Sequence, residues 1–300
     1  MKSFNQTVSD FKILSNDSSV ANDTLGKSLI NIALHKVLAM SNWTFNKDSK
    51  TFSSVASQQS YDPPYNAARI EYVSVTFGSV VYVPKEVRDG KDWAILNSVV
   101  VTSDVPQYWY VSNRTKKISV FPVPASVNQT WKIGFLKKNR DYSASDYTTG
   151  TVTTTANSTA IVGAGTSWNK AMIGRYIQIS GTNTILDGFW FEITAVTDTT
   201  HLTVREFAPV AVATASYTLT EMMPFPDGFE EIPLWFALDK YYQMKEKPVL
   251  AREYEKMWTE SVAEMERKDS RSATGLLEKQ GDLNPIDPNI NPWGITILNL

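Results

Sequence analysis

The sequence predicts an α+β fold: a helical bundle, formed by an N-terminal helix and a C-terminal αα-hairpin, with an antiparallel β-sheet module and an inserted small all-β domain. Three observations predict it. Apolar residues recur at helical spacing between Leu25 and Met40 and again between Phe229 and Met265. Short β-like runs separated by turn residues, at intervals of roughly ten, fill the stretch from 51 to 136. The block 151–220 is heavy in Thr, Ala and Gly and has an alternation of its own. The organisation expected is a core of 1–140 plus 221–270, an insert at 150–220 and an extended arm at 271–300.

Residues 1–17 are polar and mixed, with Phe4, Phe11, Ile13 and Leu14 as anchors of an extended arm. A helix starts at Ser18 or Asn22. Leu25, Leu29, Ile32, Ala33, Val37 and Met40 share one face, and Ile30, Leu34 and Leu38 widen it, so the helix is packed on two sides. It ends at Ser41-Asn42, leaving Trp43 to fold back.

Strands are expected at Thr51–Ala56, Ala68–Val75, Ser79–Val83, Val99–Thr102, Gln107–Ser112, Lys116–Phe121 and Thr130–Leu136. Pro63 and Pro64 end the first run because neither can donate to a ladder. Phe77-Gly78-Ser79 and Asn113-Arg114-Thr115 read as hairpin turns, and Glu86–Leu96 as a short helix. Tyr108, Trp109 and Tyr110 give the sheet an aromatic face suited to receive the helices. In the insert, six strands are expected: Thr151–Thr155, Thr159–Val162, Arg175–Ile179, Trp190–Val196, His201–Val204 and Ser216–Leu219.

The hairpin begins with Asp227, Glu230 and Glu231, carboxylates that complement the N–H groups of a helix start. Pro248 opens its second helix, which carries the stripe Leu250, Tyr254, Met257, Trp258, Val262 and Met265 to about Lys268. Beyond it, Gly275, Gly281, Pro285, Pro288 and Pro292 rule out a long helix, and the apolar tip suits either an arm that docks on another chain or a tail folded back on its own sheet.

No candidate for chemistry has the required spacing. Cysteine is absent and only His35 and His201 exist, which excludes thiolate chemistry and makes a multi-histidine metal site improbable. Gly163-Ala164-Gly165 lacks the rest of a phosphate loop, since Trp168 stands where glycine is needed. Asp282, Asn284, Asp287 and Asn289 are interrupted by prolines and lack the closing Glu of a calcium loop. Glu230 and Glu231 point about 100° apart on a helix. The basic groups Arg114, Lys116, Lys117 and Lys137, Lys138, Arg140 read as solvated tips able to meet phosphates or an acidic partner. The formal net charge of −2 gives no support for nucleic-acid binding by bulk electrostatics. The start has no apolar core of signal-peptide length, and the expectation is a soluble chain made in a cytoplasm, with no membrane partner, no cofactor, no metal and no enzymatic activity.

The order of parts resembles the head-to-tail adaptor, or connector, proteins of tailed bacteriophages. The resemblance is carried by the N-terminal helix, the Tyr61–Pro64 turn, the strand with Ile70, Val73 and Val75, and the aromatic strand Tyr108-Trp109-Tyr110. The Phe121-Pro122-Val123-Pro124 strand end and the helix start Phe225–Glu231 complete it. It covers roughly 18–140 and 222–268, and 151–220 is similar to a β-module inserted in phage structural proteins. The resemblance implies a structural virion protein at the neck, assembled in the bacterial cytoplasm as a homo-oligomeric ring, most often of twelve copies. Its implied partners are the portal protein, a tail or nozzle protein, and passing double-stranded DNA bound without sequence specificity. It implies that Pro292, Trp293, Ile295, Ile297, Leu298 and Leu300 dock on the portal; Trp235, Tyr242 and Trp258 are expected at the ring interface. Two alternatives stand beside it: another tail or baseplate structural protein, or a carbohydrate-binding or hydrolytic virion protein using Trp168, Trp190 or Tyr176 of the insert.

Overall fold

The computed structural model describes residues 2–281 except 65, 104, 127–128, 144, 181–185 and 187, with backbone alone at residues 20 and 271–281. Among the described residues the fold is mixed α+β, with five helices, two four-stranded sheets and a closed six-stranded barrel. Its buried side chains fall into three apolar cores, one helical, one between the sheets and one inside the barrel.

The first segment is helical, which corrects the expectation of an extended arm. Helix α1 (Phe4–Ser15) is started by a capping box: the Ser3 hydroxyl accepts from Gln6 N–H, and the Gln6 side chain accepts from Ser3 N–H, both at 3.1 Å. Phe4, Val8 and Phe11 then fall on one buried face. Helix α2 (Val20–Met40) is capped by Ser19 and buries Ile30, Ala33, Leu34 and Val37 completely or nearly so. Trp43 folds back as expected, and its Nε1 donates to the Val37 carbonyl at 2.8 Å.

The next strands are β1 (Lys47–Ser53), β2 (Ser60–Tyr61), β3 (Ala67–Phe77), β4 (Val80–Tyr82) and β5 (Lys85–Glu86). Helix α3 (Gly90–Leu96) follows, then β6 (Tyr108–Val111), β7 (Ile118–Phe121) and β8 (Thr130–Lys137). They form two sheets, in the orders β1-β8-β3-β4 and β2-β7-β6-β5. All pairs are antiparallel except the short β5–β6 pair. The two sheets share one core, with Trp109, Ile118 and Val120 from one and Val73, Trp131 and Ile133 from the other. The buried aromatic of β6, Trp109, therefore faces the second sheet and not the helices, while outward-facing Tyr110 stacks on Trp93 of α3 at 5.4 Å. The chain at 99–102 is no strand; it makes one isolated bridge, Thr102 to Val123. Asp89 caps α3, so Lys85 and Glu86 are left free to pair with β6.

All six strands expected in the insert form: β9 (Thr151–Thr154), β10 (Ala160–Ala164), β11 (Tyr176–Ser180), β12 (Trp190–Val196), β13 (His201–Val204) and β14 (Val212–Thr220). They close in the order β10-β13-β12-β11-β14-β9, which leaves no free edge. Alternate residues such as Ile177, Ile179, Phe191, Ile193, Leu202 and Val204 fill the interior. Gly163 belongs to β10, where an added Cβ would sit 2.8 Å from the Trp168 ring, so its glycine serves packing.

Helix α4 (Ile232–Met244) is the centre of the helical core and packs against α1, α2 and α5 (Pro248–Gly281). It begins later than the carboxylates suggested. Glu230 and Glu231 lie in the preceding turn, and Pro233 occupies the first helical turn, where its missing N–H costs nothing. Helix α5 runs through Gly275 to Gly281, a correction to the expected end near Lys268. One glycine costs a helix only about 1 kcal/mol, and the first following proline is Pro285.

Candidate functional site

The barrel is joined to the rest of the molecule by the segments before β9 and after β14, and both are pinned at a junction where the three cores meet. The Asn31 side chain on α2 forms a reciprocal pair with the Tyr142 backbone, both bonds at 2.8 Å. Beside it, His35 Nε2 lies 2.7 Å from Asp141. Tyr142 itself is buried against Phe4 at 5.8 Å, and this burial pushes its hydroxyl pKa up. On the exit side, Phe4 N–H donates to the Glu221 carbonyl at 2.8 Å and Met223 N–H to the Lys2 carbonyl at 3.1 Å. Lys2 ion-pairs with Asp10 and with Glu231 at 2.7 Å.

A second set of contacts ties the barrel wall to the sandwich. Arg205 reaches Asp48 of β1 with Nη2 at 2.9 Å and Nη1 at 3.3 Å, and its Nε donates to Glu192 of β12 at 2.7 Å. Burial works against the Asp48 carboxylate, but the Arg205 guanidinium and the Ser49 N–H outweigh it and hold its pKa below the ordinary value. Arg140 donates to the Gly174 carbonyl at 3.0 Å and lies over the Tyr142 ring.

Between these contacts lies a cleft of about 320 Å³, walled by Phe45, Tyr142, Tyr176, Met222 and Phe225, with Lys137, Lys138, Arg140 and Glu192 among its polar groups. The basic group Lys137, Lys138, Arg140 is thus part of the junction and not a free tip. Burial raises the Tyr176 hydroxyl pKa strongly. This set of groups holds three parts together.

His201 does not assemble a catalytic relay. His201 Nδ1 is shared by Asp198 at 3.0 Å and the Thr200 hydroxyl at 3.1 Å. A relay needs its acid and its nucleophile on opposite ring nitrogens. The Thr200 N–H bond, with help from His201, lowers Asp198 to about 2, which is the signature of a turn carboxylate. Among the described residues no group of three or more His, Cys, Asp or Glu could hold a metal ion, and no helix is long and apolar enough to cross a membrane.

The residues singled out from sequence scatter. Tyr242 and Trp258 are 7% exposed each and belong to the helical core. Tyr242 donates its hydroxyl to the Leu14 carbonyl at 2.8 Å, and Trp258 Nε1 donates to Asp239 at 3.2 Å. Trp235 alone of the three stays half-buried. Trp168 is 2% exposed inside the barrel, with Nε1 on the Tyr217 hydroxyl at 3.1 Å, which removes it as a sugar platform; Trp190 remains half-buried. Pro292, Trp293, Ile295, Ile297, Leu298 and Leu300 lie outside the described residues. Arg205, Asp48 and Glu192 carry no sequence signal, because their meeting depends on how the insert sits against β1. A comparison with protein-family models gives no match, and a comparison with curated proteins gives none either.

Proposed function

We propose that the chain is the subunit of a head-to-tail adaptor ring of a tailed bacteriophage, a structural virion protein between portal and tail that lines part of the DNA channel. The observation that carries the reading is the order of parts. Helices from the two ends of the chain, α1–α2 and α4–α5, close on one core although two β-cores lie between them in sequence. In this reading α2 with the α4–α5 hairpin is the helical bundle of the adaptor, the sandwich is its β-module, and the barrel is carried on the outside of the ring. The residues of this helical core run from Phe4 to Trp43 and from Met223 to Met265, with Tyr142 between them, while the sheets keep a core of their own. Exposed apolar residues away from the junction, such as Val81, Val100 and Val249 at 61%, 87% and 70%, suit a subunit whose neighbours cover it. A formal net charge of −2 suits a channel through which DNA slides without being held.

Electron microscopy of the purified protein, alone and mixed with portal rings, tests this reading. An adaptor gives closed rings, of twelve copies by family analogy, that cap the portal. A tail or baseplate component gives other assemblies and leaves the portal bare.

A further inference from the structure

The two sheets of the sandwich end in four edge strands, β1 and β4 in one and β2 and β5 in the other. A free edge invites pairing with another chain, and proteins guard edges with charge, proline, shortness or cover. Three of these edges are guarded. Strand β1 carries Lys47, Asp48 and Lys50, and the barrel's Arg205 grips it. Strand β2 is two residues long and runs into Asp62, Pro63 and Pro64. Strand β5 is Lys85 and Glu86.

Strand β4 is short as well, three residues, and Pro84 follows Val83, but it differs in its side chains: Val80-Val81-Tyr82 and Val83 carry no charge. Val80, Val81 and Val83 are 51%, 61% and 64% exposed. Its pairing with Val75, Thr76 and Phe77 occupies one side only, and in an antiparallel ladder alternate residues turn their N–H and C=O outward.

We propose that β4 receives, as an added strand, the segment Ile295–Leu300 of a neighbouring copy of this chain. This rests on the ring reading. The segment Ile-Thr-Ile-Leu-Asn-Leu is uncharged and half β-branched, the composition that a pleated, uncharged edge accepts. The residues before it, with Asp282, Asp287 and three prolines, suit a connector. The thirteen residues 282–294 span up to about 40 Å when extended. Helix α5 passes the start of β1 at Asp269, which accepts the N–H of Thr44, just before that strand, at 3.0 Å. Strands β8 and β3 separate β1 from β4. The proposal sets the β1 side of one subunit against the β4 side of the next, an arrangement open to a head-to-tail ring, so that an arm leaving one reaches the open edge of the other. The apolar tip that the family resemblance directs to the portal thereby finds its seat on the next subunit.

Hydrogen–deuterium exchange on the full-length protein, read at the amides of 79–83, tests this alongside images of the same samples. The wild type at assembling concentration is compared with wild type diluted to monomer and with the full-length double variant I297D/L298D. The expected result is slow exchange at these amides, lost on dilution and lost in the variant. V81K, at an exposed position that the fold tolerates, loses it too. Equal exchange in wild type and I297D/L298D overturns the proposal, as does protection that survives dilution, which assigns the edge to the chain's own tail. Unchanged protection in a variant that has lost portal binding overturns it as well. Rings with an unprotected β4 sink the strand addition and leave the adaptor reading standing; tip-dependent protection without rings does the reverse.

Discussion

Arg205, at the end of a barrel strand, holds Asp48, on the edge strand of the sandwich, through both terminal guanidinium nitrogens at 2.9 and 3.3 Å. Residues 157 positions apart thereby fix the insert to the body. The same guanidinium holds Glu192 of the barrel, so one cation serves two carboxylates on two cores.

Replacing Arg205 with Ala therefore loosens the barrel without unfolding it, since its interior of Ile177, Ile193 and Leu219 is untouched. Partly exposed pairs are worth about 0–1 kcal/mol, so global stability changes little. The expected readout is faster proteolysis at 138–147 in R205A. The pH dependence has a definite sign. The Asp48 pKa is depressed in the fold, so the contribution is complete above the ordinary carboxylate range and is lost as pH falls through the depressed value. Acid should therefore erase the difference between wild type and R205A.

A larger effect is expected at Asp239, which is fully buried in α4. Its carboxylate accepts from Gln243 at 2.5 Å and Trp258 Nε1 at 3.2 Å, with Lys240 Nζ at 3.0 Å. D239A leaves the buried indole N–H without a partner, which costs about 1–3 kcal/mol. The Trp258→Phe change removes the donor together with its need and should cost less at this bond. Urea unfolding of both variants and of the double mutant gives the order and the coupling.

Gly26 tests the contact between α1 and α2. A Cβ there would lie 2.5 Å from Cδ1 of Phe11, whose ring is fully buried and packs edge-on against Tyr241. Alanine improves helix propensity by about 1 kcal/mol. Overpacking a rigid neighbour costs about 1–3 kcal/mol and outweighs it. G26A should lower Tm, and G26A with Phe11→Leu should recover part of the loss.

Much of this fold can be read from local pattern. Helix α2 has a wide apolar arc, and barrel strands such as β10, β11 and β13 alternate cleanly, so single segments announce themselves. Helix α1 carried a usable signal that its polar composition hid: Ser3 and Gln6 at capping-box spacing, with Phe4, Val8 and Phe11 on one face. Pro233 marked the start of α4 better than Asp227 did, because a proline fits the first turn and an acid fits many turns. What the pattern cannot carry is partnership across distance. Trp109 reads as aromatic surface until a second sheet covers it. Trp258 sits on a readable stripe, yet neither its partner Asp239 nor the Leu14 carbonyl that holds Tyr242 carries a local signal. Lys137, Lys138 and Arg140 read as a solvated tip, yet they line the cleft at the junction and Arg140 donates to the barrel's Gly174 carbonyl.

We propose that this subunit builds a ring joining portal to tail, and an image of purified full-length protein mixed with portal rings tests it. Closed rings, of twelve copies by family analogy, seated coaxially on the portal are expected. Monomers, open filaments or rings that ignore the portal overturn it.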